Sequence, residues 1–332
     1  MSTEVIDLEP VDRVRITILV DNLSDPLLQE SERVRRQTWG KAFAESAPRL
    51  RARFASGGEV PDPLLGEPGF SALVRFEKAG TERTLLFDTG VTPNGMVENM
   101  RRLDLSLREV ELIVLSHGHW DHVTGMEGVV RELGQRGLPV LIHPEFWSRR
   151  RILFPGVEPR ELPVTSRSAL EGAGFEIVEQ RRPSFLLDRS VLVTGEVDRG
   201  SAFEAGMRGH EALRGETWEP DPLILDDQAL LLRLRDQGLV VLTGCGHAGI
   251  VNTVRYAQRL TGEHRLAAVI GGFHLSGQSF EPIIEPTVRA FDELAPALIA
   301  PAHCTGWRAV HAFANRFPDA FLQCAVGTTI EL

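Results

Sequence analysis

The chain has 332 residues, 42% of them hydrophobic and 25% charged, which is the balance of a globular protein rather than a disordered one. Against 46 acidic side chains stand 36 basic ones, a formal net charge of −10 that argues against a general nucleic-acid binder, because neutralising phosphates needs a basic surface. No stretch approaches the ~20 apolar residues of a membrane helix, and three scattered cysteines (Cys245, Cys304, Cys324) make no disulfide framework. The acidic opening MSTEVIDLEP has no apolar run, so neither a secretory signal nor a transit peptide is expected, and a reducing, cytoplasmic setting is.

In chain order, short apolar runs predict strands at 14–20, 71–76, 84–87, 112–115, 140–142, 190–193, 229–233, 239–242, 266–270, 297–299 and 321–326. Amphipathic segments at 125–133, 249–260, 282–294 and 309–317 predict helices, and the alternation gives an α/β fold, taken as one domain over 1–332. Two segments read as insertions. Residues 24–69 predict an amphipathic helix followed by a Pro- and Gly-rich stretch, and 196–226 an irregular, lid-like loop.

The densest chemistry is Ser116-His117-Gly118-His119-Trp120-Asp121-His122, directly after the run 112–115. In an extended chain His117 and His119 project to the same side, and Asp121 and His122 follow at a turn marked by Gly118 and Gly125. Such a cluster of imidazole and carboxylate donors suits Zn²⁺, and also Fe or Mn, as one ion or two.

The motif His-x-His-x-Asp-His, preceded by Phe87-Asp88-Thr89-Gly90, resembles the metallo-β-lactamase superfamily. That resemblance implies an αββα sandwich, a first metal held by His117 and His119, a second held by Asp121 and His122, and Asp88 orienting a ligand histidine. Five further motifs are similar to the dihydropterin-methyl-ribofuranosylaminobenzene-phosphate synthase-like branch. They are Val20-Asp21-Asn22, Asp226-Asp227-Gln228, Gly244-Cys245-Gly246-His247-Ala248-Gly249, Gly271-Gly272-Phe273-His274 and Pro301-Ala302-His303-Cys304. His303 then resembles the family's last ligand, on the second metal.

His247 stands at a strand end before a helix, and is expected to be the third imidazole of the first metal, because a tightly held Zn²⁺ needs at least three protein ligands. Relatives often have an upstream Gly-His turn that is missing here, since His210 lacks a strand before it. Cys245 occupies what resembles the position of a bridging aspartate, and reads either as a bridging thiolate or as a small packing residue. His274 ends another strand and is a substrate-binding, acid/base or ligand residue. His143, His210, His264 and His311 are expected at the surface or in packing. The runs 149–151 and 181–182 are arginines for an anionic group or solvated faces.

The expected function is a metal-dependent hydrolase of a small organic, phosphorylated or pterin-like molecule, with Asp121 orienting a metal-activated water. The alternatives are the synthase-type transferase of the resembling branch, or a di-iron redox enzyme on the same scaffold. The expected partner is a small molecule, with no nucleic acid and no membrane, and with room for a homodimer.

Overall fold

The computed structural model describes residues 5–134, 137–154 and 156–332, so the first four residues of the acidic opening lie outside the described part. An eight-stranded sheet runs Glu176–Glu179, Pro139–Ile142, Leu112–Val114, Thr81–Phe87, Ser71–Lys78, Arg13–Val20, Thr329–Glu331, Val34–Arg35. A seven-stranded sheet runs Ser184–Leu186, Val191–Val193, Ala229–Leu234, Gly238–Thr243, Leu266–Gly272, Ile299–Ala302, with Pro10–Val11 paired alongside Ala229–Leu234.

The two-residue period of each strand assigns its side chains to layers. Ala72, Val74 and Phe76 face Leu230, Leu232 and Leu234 in a core between the sheets. Leu73, Leu86 and Ile113 point outward onto Met96 and Met100 of the helix Gly95–Arg102 and onto Val129 of the helix Met126–Leu133. On the other side, Leu231, Val241 and Val269 meet Val254, Phe291 and Phe313 of the helices Ile250–Thr261, Ile284–Leu294 and Trp307–Arg316. The fold is therefore an αββα sandwich. Strands buried on both faces are read from sequence as continuous apolar runs, and these were.

Both sheets follow one plan. Arg13–Val20, Ser71–Lys78 and Thr81–Phe87 pair antiparallel, then Leu112–Val114 and Pro139–Ile142 add in parallel. Val191–Val193, Ala229–Leu234 and Gly238–Thr243 pair antiparallel, then Leu266–Gly272 and Ile299–Ala302 add in parallel. Parallel neighbours carry their C-terminal ends to the same edge, and side chains converge where the chain must turn.

Three expectations need correction. Residues 24–69 form no long helix, but the edge strand Val34–Arg35, the short helix Trp39–Ala42 and the hairpin Arg49–Arg51 with Glu59–Pro61. Trp39, Phe43 and Phe54 stay exposed there, so no apolar face stabilises a longer helix. The lid-like segment 196–226 contains a hairpin, His210–Arg214 with Thr217–Pro220, which pairs onto the strand Arg150–Ile152. Residues 321–326 make a single bridge, Phe321 to Ile299, before Gly327 turns the chain at φ 79° toward the strand Thr329–Glu331. Among the described residues, no helix is long and apolar enough to cross a membrane.

Candidate metal centre

The strand Leu112–Val114 delivers His117, His119, Asp121 and His122 to one rim, and Gly238–Thr243, Leu266–Gly272 and Ile299–Ala302 bring Cys245, His247, His274 and His303 to the same rim. Close approach there depends on glycine. A Cβ on Gly244 would lie 2.1 Å from Ser116 Oγ and 2.6 Å from an Asp88 carboxylate oxygen, so any larger residue would push the two sheets' loops apart.

The donors sort into overlapping sets, each with its atoms within 4.8 Å of one another. His117, His119 and His247 form the first. His119 Nδ1 lies 3.0 Å from His117 Nε2 and 3.1 Å from His247 Nε2, so the three lone pairs converge on one point. Asp121, His122, Cys245 and His303 form the second, with His122 Nε2 3.2 Å from Cys245 Sγ, and Asp121 Oδ2 3.7 Å from His122 Nε2 and 3.4 Å from His303 Nε2. A third grouping, Cys245, His247 and His274, bridges them. His247 turns toward His117 and His119, and Cys245 lies beside His122.

Proton positions follow from the neighbours. Asp88 accepts from Ser116 Oγ at 2.7 Å, so the Ser116 oxygen is left to accept from His117 Nδ1–H at 2.9 Å, and Nε2 of His117 keeps its lone pair for the cluster. Asp88 also accepts from His122 Nδ1–H at 2.7 Å, which turns His122 Nε2 toward the second set, where a bound cation would have to displace its proton. His303 is held by the loop Asp21-Asn22. Its backbone N–H donates to Asp21 Oδ1 at 2.8 Å, and its Nδ1 lies 3.1 Å from Asn22 Oδ1. Nε2 of His303 is left buried without a hydrogen bond, as is Nδ1 of His274. Asp88, His274 and His303 are all left-handed residues (φ 56°, 45° and 48°), a strained conformation these contacts hold in place.

Electrostatics separate the sets. Burial, with the neighbouring His122 and His119, holds His117 well below its ordinary pKa, and burial, with His274 and His117, does the same for His247. Burial, with His210 and Arg150, brings His119 down to about 3. These are neutral imidazoles at physiological pH, the form that binds cations. In the second set burial also disfavours charge, yet Asp121 and Asp88 outweigh it and raise His122 to about 9. Burial is likewise outweighed at Asp121, which His122 and His303 keep well below the usual carboxylate range. Burial pushes the Cys245 thiol well above its ordinary value, so ligation by sulfur would release a proton.

Several participants were not legible as such. His210 and His143, expected at the surface or in packing, are both buried, and His210 Nε2 lies 3.2 Å from His119 Nε2. His264 and His311 are exposed, as expected. Arg150 is no free anion receptor. It is buried, donates from Nε to Asp221 at 2.9 Å and forks onto Asp226, which also accepts from the Gly118 backbone N–H at 2.7 Å. Arg149, Arg151 and Arg181 are paired with Glu161, Glu211 and Glu145 or Glu196. Gln228 donates to Leu115 O at 3.0 Å, and Asp227 accepts from Ala248 N–H at 2.9 Å, so the motif 226–228 laces the ligand loops together.

A sequence model described as the metallo-beta-lactamase superfamily matches residues 64–260. The chain is 28% identical, over 81% of its own length and 91% of the relative's, to the 7,8-dihydropterin-6-methyl-4-(beta-D-ribofuranosyl)-aminobenzene-5'-phosphate synthase of Methanocaldococcus jannaschii. Among solved structures it is similar to Tm1679, described as a metal-dependent hydrolase of the beta-lactamase superfamily, with TM-score 0.67, 26% identity and coverage of 96% of this chain and 98% of that one. Unliganded yeast PDE1 shares the fold at TM-score 0.51 and 9% identity, covering 98% of this chain and all (100%) of that one.

Proposed function

Because the chain belongs to the metallo-β-lactamase superfamily, we propose that it is a metal-dependent hydrolase of a small organic, phosphorylated or pterin-like molecule, working through a water activated at the paired donor sets. The observation that carries this reading is the juxtaposition of three converging neutral imidazoles with an Asp-His-Cys-His set on the same rim. The donors fit Zn²⁺, or Fe or Mn: the three imidazoles of the first set are neutral, with lone pairs directed at one another, and the buried Nε2 of His303 makes no hydrogen bond. Bound there, one or two such ions would acidify a water toward neutral pH and polarise a carbonyl or phosphoryl oxygen.

The chain's own residues supply the rest. Asp121, kept ionised by His122 and His303, orients the attacking water and takes its proton at Oδ2. A cavity of about 380 Å³ opens beside His247 and His274, a size that suits a small molecule. Phe203, Phe280 and Ile283 give it apolar walls on which a flat ring can lie. Arg208 lines it and, among the described residues, makes no ion pair, which leaves its guanidinium for an anionic substituent. His274, with Phe280 packed edge-on at 4.6 Å between ring centroids, stands between cavity and donors, placed to contact the substrate or give a proton to the leaving group.

The name of the archaeal relative favours a second reading, a synthase-type transfer on the same centre. One experiment addresses both. Zinc-loaded and chelator-treated protein would be assayed on ester, lactone, phosphodiester and pterin panels, and for formation of the product in that relative's name. Metal-dependent hydrolysis abolished by Asp121→Asn supports the hydrolase. Product formation without hydrolysis of any panel member would replace it with the transferase.

A further inference from the structure

We propose that His210, carried into the centre by the inserted hairpin, is a positioning residue that fixes the proton of His119 and so tunes how tightly the three-imidazole set holds its cation. The inference rests on the metal-centre reading above.

His119 differs from its two partners in how it enters the cluster. His117 and His247 each turn Nε2 inward, whereas His119 turns Nδ1 inward, 3.0 Å from His117 Nε2 and 3.1 Å from His247 Nε2. For Nδ1 to offer a lone pair, the single proton of a neutral imidazole must sit on Nε2. That Nε2 faces Nε2 of His210 at 3.2 Å. Two N–H groups cannot point at each other at this distance, so His210 Nε2 must be the acceptor and its own proton must sit on Nδ1.

The surroundings of His210 select that tautomer. Its Nδ1 is buried and makes no hydrogen bond, and it faces Asp221 Oδ2 at 3.9 Å, too long for a direct bond but close enough for the carboxylate to favour a proton there. Asp221 is in turn held by Arg150 Nε at 2.9 Å, and Arg150 also grips Asp226, which accepts from the Gly118 N–H between His117 and His119. The chain of contacts closes on itself, from the His119 ring through His210, Asp221, Arg150 and Asp226 back to the N–H of Gly118, the residue before His119. It fixes both the ring and the backbone of one donor.

His210 opens the strand His210–Arg214, and backbone Asp221 N–H donates to its carbonyl at 2.8 Å across the hairpin. The insertion 196–226 is therefore wired into the donor set and is not only a cover over it. Partners in contact with a metal-ligating histidine typically change affinity by about 10–100-fold when removed.

The test is a zinc titration against a chromophoric chelator with wild type, His210→Leu, His210→Gln and His119→Ala. Leucine keeps bulk without an acceptor, whereas the glutamine Oε1 reaches the place of the histidine Nε2. The expected result is a loss of about 10–100-fold in zinc affinity for His210→Leu and an affinity within a few-fold of wild type for His210→Gln. Equal weakening in both, or none in His210→Leu, would overturn the proposal. A wild type that binds no zinc, or that His119→Ala leaves unchanged, would instead strike the metal-centre reading itself. If His210→Leu does not fold, long-range ¹H–¹⁵N spectra of zinc-loaded wild type still decide, since His210 must appear as the Nδ1–H tautomer and the Nε2–H tautomer contradicts it.

Discussion

The two halves of the molecule share one strand plan but load it differently. In the first half a single strand end, after Leu112–Val114, carries His117, His119, Asp121 and His122, whereas the second half spreads Cys245, His247, His274 and His303 over three strand ends. The sharpest contrast is between histidines at matching places. His143 follows Pro139–Ile142 as His303 follows Ile299–Ala302, and both are buried. Yet His143 turns Nδ1 to accept from the Glu145 backbone N–H at 3.1 Å and caps a turn, while His303 is turned by Asp21 and Asn22 to aim Nε2 at Asp121. At these two matching strand ends, what engages Nδ1 decides the outcome: a backbone N–H turns His143 into a cap, and the Asp21-Asn22 loop turns His303 toward the donor set.

That contrast can be broken experimentally. The largest effect belongs to Asp121→Asn, which should keep the fold, read by circular dichroism, and lower turnover by roughly 10²–10⁴-fold, the usual worth of a positioned general base. Unchanged turnover would remove Asp121 from the chemistry. Next, His303→Ala should lose bound metal while His143→Ala keeps it, measured by elemental analysis of folded protein; equal losses would erase the distinction between the halves. Asp88→Ala removes one carboxylate that fixes the tautomers of both His117 and His122, so zinc affinity should fall by about 10–100-fold.

The smallest effect lies outside the donor sets, at Glu204, whose carboxylate accepts from the Val251 and Asn252 N–H groups at 2.8 Å each. Burial outweighs those bonds and raises its pKa from 4.5 to about 7. The folded state therefore holds this proton more tightly than the unfolded chain. Its contribution to stability is full below about pH 4.5 and is lost as pH rises through about 7. Urea melts across that window should show wild type losing up to ~1.4 kcal/mol per pH unit more than Glu204→Gln. Parallel curves would show that Glu204 does not titrate there.

The fold was largely legible because its strands are buried on both faces and its donors sit where apolar runs stop, as at 112–115 before His117 and at 239–242 before His247. What was not legible depends on contacts distant in sequence. His210 has no continuous apolar run before it, and its place follows from a hairpin pairing with Arg150–Ile152, some 60 positions upstream. Asp21, Asn22 and Asp226 were visible only as members of motifs, since their roles depend on the backbone N–H groups of His303 and Gly118 and on the His303 ring, all distant in sequence. Ser116 had a local signal, a hydroxyl directly before the first histidine, but its use as a relay from Asp88 appears only once Asp88 is brought beside it.

Native mass spectrometry of zinc-loaded protein tests the central claim most directly, because it counts ions per folded chain. The account predicts two zinc ions in wild type and one in His247→Ala, with the remaining ion lost on further substitution of His303. Two ions retained in His247→Ala, or none in wild type, would contradict the assignment of His117, His119 and His247 to one cation.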